Sequence, residues 1–129
     1  MFEGTVAWIR HLRRAGIKTA VVSSSSHCKA ILQNAGISNL FDVRMDGDIA
    51  DQLKIEGKPA PDTYLKAAEM LGVDAGRAAV VEDALAGVEA GRNGGFGLVI
   101  GVDRKHDADA LRENGADIVV SDLKEMISL

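Results

Sequence analysis

Along this chain, short β-branched runs alternate with longer stretches whose apolar residues recur at helical spacing, the pattern of βαβ units around a parallel sheet. The pattern predicts strands at 18–23, 41–45, 78–82, 97–102 and 117–121. Helices are predicted at 4–15, 27–35, 61–71, 86–93, 107–114 and 123–127, the last with Ser121 or Asp122 as its cap. Gly16, Gly36, Gly72, Gly94 and Gly115 follow helical stretches, where glycine most easily takes the left-handed backbone that ends a helix. Trp8 and Leu12 share a helical face and read as packing residues. The longest irregular piece is 46–60, and no repeat, low-complexity tract or linker interrupts the chain. The expected fold is therefore α/β, a three-layer, Rossmann-like parallel sheet flanked by helices.

Length changes this picture little: 129 residues fit one domain spanning 1–129. With 47% hydrophobic and 26% charged residues the composition is that of a folded globular chain. A net charge of −4 offers no electrostatic footprint for nucleic acid or an anionic membrane. No apolar run approaches the ~20 residues that span a bilayer. The start lacks a basic segment followed by an apolar one, so a cytoplasmic home is the expectation. The single Cys28, beside His27, reads as a small half-buried side chain.

Ligands of an open parallel sheet bind beyond the carboxyl ends of its strands, and three segments fall there. Ser23-Ser24-Ser25-Ser26 follows the first strand; its hydroxyls and backbone N–H groups suit an anion, and phosphate leads, although serine is also the ordinary capping residue. Gly57-Lys58-Pro59-Ala60-Pro61-Asp62 holds a lysine in a turn stiffened by two prolines, which fixes where the ammonium projects. An exposed lysine is more often merely solvated, so the neighbouring segments give this one its weight. Glu82-Asp83 ends an apolar strand with two adjacent carboxylates, hard oxygen ligands that suit Mg²⁺, with helix capping by Asp83 as the competing reading.

In this order the three motifs resemble those of the haloacid dehalogenase superfamily, most closely its β-phosphoglucomutase-like phosphatases and phosphomutases, and the match covers nearly the whole chain. The resemblance implies that Ser23 supplies the hydroxyl that bonds the transferring phosphoryl group, with Ser24 adding a backbone N–H. Lys58 corresponds to the family's third-motif lysine. Glu82 and Asp83 correspond to the fourth-motif acids that hold Mg²⁺. Ser25, Ser26 and His27 lie where relatives contact substrate. By this resemblance Ser23, Lys58 and Asp83 are the catalytic candidates.

Family members open with Asp-x-Asp-Gly-Thr/Val, whose first aspartate is phosphorylated and whose second is the general acid-base. This sequence lacks that motif. Its nearest string, Arg44-Met45-Asp46-Gly47-Asp48, places Arg44 at the nucleophile position and follows the wrong strand. The resemblance therefore implies that nucleophile strand and cap lie upstream of Met1. In the family's sheet that strand is central, between those ending here at Ser23 and Glu82. Without it the sheet should be weakened or rearranged: the two strands close on each other, or another polypeptide's strand fills the gap, or the chain is a piece of a longer protein.

The implied reaction is Mg²⁺-dependent phosphoryl transfer from a small phosphorylated metabolite, a sugar phosphate, through an aspartyl-phosphate, with no turnover by this chain alone. A noncatalytic fragment that keeps the phosphate and Mg²⁺ site, or dimerises through exposed sheet edges, is the alternative. A complementing N-terminal segment is the other implied partner. Nucleotide-binding modules fit worse, because Gln52 stands where a Walker loop needs glycine upstream of Gly57-Lys58. The glycines from Gly91 onward precede a strand, so a dinucleotide fingerprint fails as well.

Overall fold

A computed structural model describes residues 3–128. Five parallel strands are found where the sequence places them: β1 (Ala20–Val22), β2 (Val43–Met45), β3 (Ala79–Glu82), β4 (Leu98–Val102) and β5 (Ile118–Val120). The helices are α1 (Glu3–Arg14), α2 (Cys28–Asn34), α3 (Gly47–Leu53), α4 (Asp62–Leu71), α5 (Leu85–Asn93) and α6 (Ala108–Glu113). The α/β class and the flanking helices agree with the sequence.

The ladder is in two parts. β1 pairs with β2, Val21 opposite Arg44, while β3, β4 and β5 form a separate sheet in that order. No ladder joins β1 to β3 among the described residues, so each presents one edge without a strand partner. The two strands have not closed on each other.

Two helices bridge the parts through alternate strand residues, as the period of two requires. α1 packs Ile9 into the cluster of Cys28, Leu32, Ile37 and Leu40 with Val21 against it, and Trp8 into that of Ile100, Val102 and Leu123 with Val81 against it. On the opposite face Tyr64 of α4 meets Val80 and Ala90, with Val22 packed against them. β4, sandwiched by Val88 and Leu111 on one side and Trp8 on the other, is the most buried strand. Cys28 is buried, 5% exposed, not half-buried.

Three details depart from the sequence reading. The stretch 46–60 is not wholly irregular, since α3 occupies 47–53 with no buried residue. Its start is fixed by Asp46, whose carboxylate accepts from the Ile49 N–H at 3.0 Å. Its apolar residues Ile49, Ala50 and Leu53 are helically spaced, but seven residues are too few for the period to stand out. The final helix is a 3₁₀ turn, Leu123–Ser128, and its start is tied by Glu125, whose carboxylate accepts from Ser121 N–H, Ser121 Oγ and Asp122 N–H. After α5 the left-handed glycine is Gly95 (φ 71°), while Gly94 stays right-handed. No helix among the described residues is long and apolar enough to cross a membrane.

Candidate active site

The ends of β1 and β3 carry the residues singled out by sequence, on either side of the unpaired edges. β1 hands the chain to Ser23–Ser26, and Ser23 N–H extends the ladder by donating to the Met45 carbonyl at 2.8 Å. Within the loop, Ser25 N–H donates to Ser23 Oγ at 3.1 Å and His27 N–H to Ser25 Oγ at 3.0 Å. Ser25 Oγ thereby helps to hold the turn. Ser23 Oγ accepts one bond and its hydroxyl also bonds the Cys28 side chain. Ser24 and His27 are exposed.

Beyond β3 the carboxylate of Glu82 is saturated. Its Oε2 accepts from Lys58 Nζ and from Tyr64 Oη, each at 2.9 Å, and its Oε1 accepts from the Asp83 N–H at 3.0 Å and the Ala84 N–H at 3.2 Å. The side chains of Lys58 and Glu82 are only 19% and 15% exposed, so the pair is largely desolvated and each charge needs the other. Lys58 Nζ also lies 5.1 Å from the Tyr64 ring centroid, within cation–π range. Tyr64 is in turn fixed edge-on against Phe96, centroids 5.9 Å apart. Gly87 completes the arrangement: a Cβ there would collide with the Glu82 side chain, so only glycine lets α5 pass this close.

Charge follows this geometry. Burial alone would push the Glu82 carboxyl up, but the Lys58 ammonium beside it, with the Tyr64 hydroxyl, holds it below the ordinary carboxylate value. Tyr64 is pushed far above the usual phenol value by burial and by the Glu82 charge, so it remains a donor. Asp83 is pushed up, first by burial and then by the neighbouring Glu82 carboxylate, with Arg104 acting against that rise. Arg104 Nε lies 3.5 Å from Asp83 Oδ2, and the Asp83 side chain is 52% exposed. Asp83 does not cap α5; the capping position is Ala84, without a side-chain bond.

The structure thus joins Lys58 directly to Glu82, with Asp83 adjacent. Among the described residues no hydrogen bond or ion pair links Ser23, Ser24, Ser25 or His27 to that group. Tyr64 and Arg104 belong to the site although sequence reasoning passed them over. Tyr64 carries no local motif, and Arg104 sits in the charged turn after β4, which looks merely solvated in the sequence. No group of three or more His, Cys, Asp or Glu among the described residues could hold a metal ion, and with Glu82 saturated it is the half-exposed Asp83 that has oxygen lone pairs to offer one. One hard carboxylate can serve Mg²⁺, which takes one or two from protein and completes its shell with water and phosphate.

The sequence model of the family described as haloacid dehalogenase-like hydrolase matches residues 1–95. A β-phosphoglucomutase from Mycobacterium bovis is 44% identical over 130 residues, covering 98% of this chain and 50% of that protein. A trehalose-phosphate phosphatase from Mycobacterium leprae is 38% identical over 129 residues, covering 97% of this chain and 28% of that protein. The chain spans half or less of the length of these two relatives. The crystal structure of a protein described as a β-phosphoglucomutase from Thermotoga maritima superposes with a TM-score of 0.86 at 28% identity, over 98% of this chain and 58% of that one.

Proposed function

We propose, from the premise that this chain belongs to the haloacid dehalogenase-like hydrolase family, that it forms part of a Mg²⁺-dependent phosphatase or phosphomutase acting on a sugar phosphate. The observation that carries the reading is the desolvated Lys58–Glu82 pair with Asp83 beside it at the carboxyl end of β3. The substrate class rests on what the relatives' names state, a phosphoglucomutase and a trehalose-phosphate phosphatase.

Each residue has a role its surroundings support. Ser23 Oγ, already accepting from Ser25 N–H, donates its proton to a phosphoryl oxygen, and the Ser24 N–H serves a second oxygen. Ser25 shapes the loop and, with the exposed His27, would contact the substrate. Lys58, steered by Glu82 and Tyr64, sets a positive charge against the negative charge that gathers on the transferring group. Asp83 would hold Mg²⁺, with Glu82 joining it where one of the four bonds to its carboxylate gives way, and the ion when bound would offset phosphoryl charge.

The nucleophile belongs to a segment that this chain does not contain, entering as a strand between β1 and β3. Asp46 cannot serve: it is 2% exposed, paired to Arg44 Nε at 2.8 Å, and committed to capping α3. On the complementing segment one aspartate oxygen attacks phosphorus as the bond to the leaving sugar oxygen breaks. A second aspartate gives that oxygen its proton. Water then cleaves the phosphoaspartate to inorganic phosphate, or a sugar hydroxyl takes the phosphoryl group.

The test is phosphate release from an aryl phosphate with Mg²⁺, comparing the chain with Asp83→Asn. No turnover is expected from either, and turnover should appear when a segment bearing Asp-x-Asp-Gly-Thr is added to the parent but not to Asp83→Asn. Turnover by the chain alone that disappears in Asp83→Asn would overturn the external nucleophile.

A further inference from the structure

The string Asp46-Gly47, which resembles part of a catalytic motif without being one, lies where β2 ends, directly beside the serine loop. Three backbone facts tie the two. The Met45 carbonyl accepts from Ser23 N–H at 2.8 Å, Gly47 N–H donates to the Ser25 carbonyl at 3.1 Å, and a Cβ on Gly47 would stand 2.5 Å from the Ser24 carbonyl oxygen and 3.2 Å from Ser26 N. Those neighbours are backbone atoms, which cannot swing aside as a side-chain tip can. The Gly47 turn and the serine loop are therefore stacked backbone on backbone, and only glycine permits it.

Asp46 fixes the turn from below. Its carboxylate, 2% exposed, accepts from Arg44 Nε at 2.8 Å and from the Ile49 N–H at 3.0 Å, and its carbonyl accepts from the Ala50 N–H at 2.9 Å. The turn is thus locked at its entrance by β2 and at its exit by the first turn of α3. On its other side β1 has no strand partner among the described residues.

We infer that the Asp46–Gly47 turn is a positioning element for the anion site, a template against which the backbone of Ser23–Ser26 is set for a phosphoryl group. The inference deepens the reading under Proposed function and rests on it for the identity of the anion. Asp46 and Gly47 touch no substrate; they act through the loop.

Gly47→Ala, Asp46→Asn and the control Gly76→Ala, whose Cβ would meet nothing within 4 Å, separate positioning from general stability. Amide resonances of Ser23–Ser26, thermal melting, and titration with inorganic phosphate in the presence of Mg²⁺ are the measurements. In Gly47→Ala the Ser24–Ser26 amides should shift and exchange faster while the amides of β4 stay in place, and the phosphate dissociation constant should rise roughly tenfold, the cost of about one lost hydrogen bond to a charged group. Asp46→Asn should produce the same signature more weakly, and Gly76→Ala none of it. Unmoved Ser24–Ser26 amides in a folded Gly47→Ala, or unchanged phosphate affinity, would overturn the inference. Should Gly47→Ala not fold, Asp46→Asn decides by the same readouts. A parent chain that binds no phosphate, yet whose Gly47→Ala amides shift as described, would refute the anion reading while leaving the brace intact.

Discussion

Replacing Tyr64 by phenylalanine removes one hydroxyl and nothing else: the ring keeps its edge-on contact with Phe96 and its place under the Lys58 ammonium. What is lost is one of four donors to Glu82, a 2.9 Å bond to a carboxylate oxygen that Lys58 shares. Hydrogen bonds to charged groups contribute about 1.5–3 kcal/mol net. Because three donors remain and the site is partly reached by water, the low end applies, about 1.5 kcal/mol. Spread over an unfolding entropy of about 2.1 cal/mol/K per residue, that corresponds to a fall in Tm of roughly 5 °C. The assay is urea unfolding followed by far-UV circular dichroism, in which the midpoint should fall without a change of slope. Lys58→Met and the double variant complete a cycle. Since both donors meet at one oxygen, the two effects should depart from additivity by at least ~0.5 kcal/mol. A loss below ~0.3 kcal/mol for Tyr64→Phe, or strict additivity with Lys58→Met, would refute the shared-oxygen geometry.

Truncation of Leu111, which has no exposed surface, to alanine should cost about 2–5 kcal/mol in the same unfolding assay. Gly87→Ala forces the Glu82 side chain away from α5 and should destabilise by about 1–3 kcal/mol, with loss of Mg²⁺-dependent amide shifts at Asp83. Acid should weaken the fold through Asp46. Burial pushes its carboxyl up, but the Ile49 N–H and the Arg44 guanidinium hold it below the ordinary carboxylate value. Its contribution is therefore present above that ordinary value and lost as pH falls through the lowered one, and Asp46→Asn should flatten the acid limb of a Tm-against-pH curve.

All five strands were legible because β-branched runs end at turn residues, and their predicted bounds overhang the observed ones by only one or two residues at an end. α3 was passed over because seven residues hold a single helical repeat, Ile49 to Leu53, and none of them is buried; the capping residue Asp46 was its other mark. In the site, Lys58, Glu82 and Asp83 were found as separate motifs, and that Lys58 meets Glu82 followed only from the fold. Tyr64 was invisible for a physical reason: its function depends on a hydroxyl reaching across to another element, and its place on the buried face of α4 has the same sequence signature as any packed aromatic. The charged turn at 103–107 concealed Arg104 in the same way, since a solvated arginine and one paired with Asp83 look alike until β4 is laid beside β3.

The division of the ladder between β1 and β3 governs how the molecule can move. Among the described residues no ladder joins the β1–β2 half to the β3–β4–β5 half, and side chains of α1 and α4 pack against strands of both. The halves can therefore part slightly at the cost of sliding apolar contacts, with every ladder bond intact. Amide exchange should register this as two tempos, slow in β4 and fast in β1 and at the open edge of β3. A strand arriving from outside would meet a cleft that widens to admit it and then, once hydrogen-bonded on both sides, sets the two halves to a single rhythm.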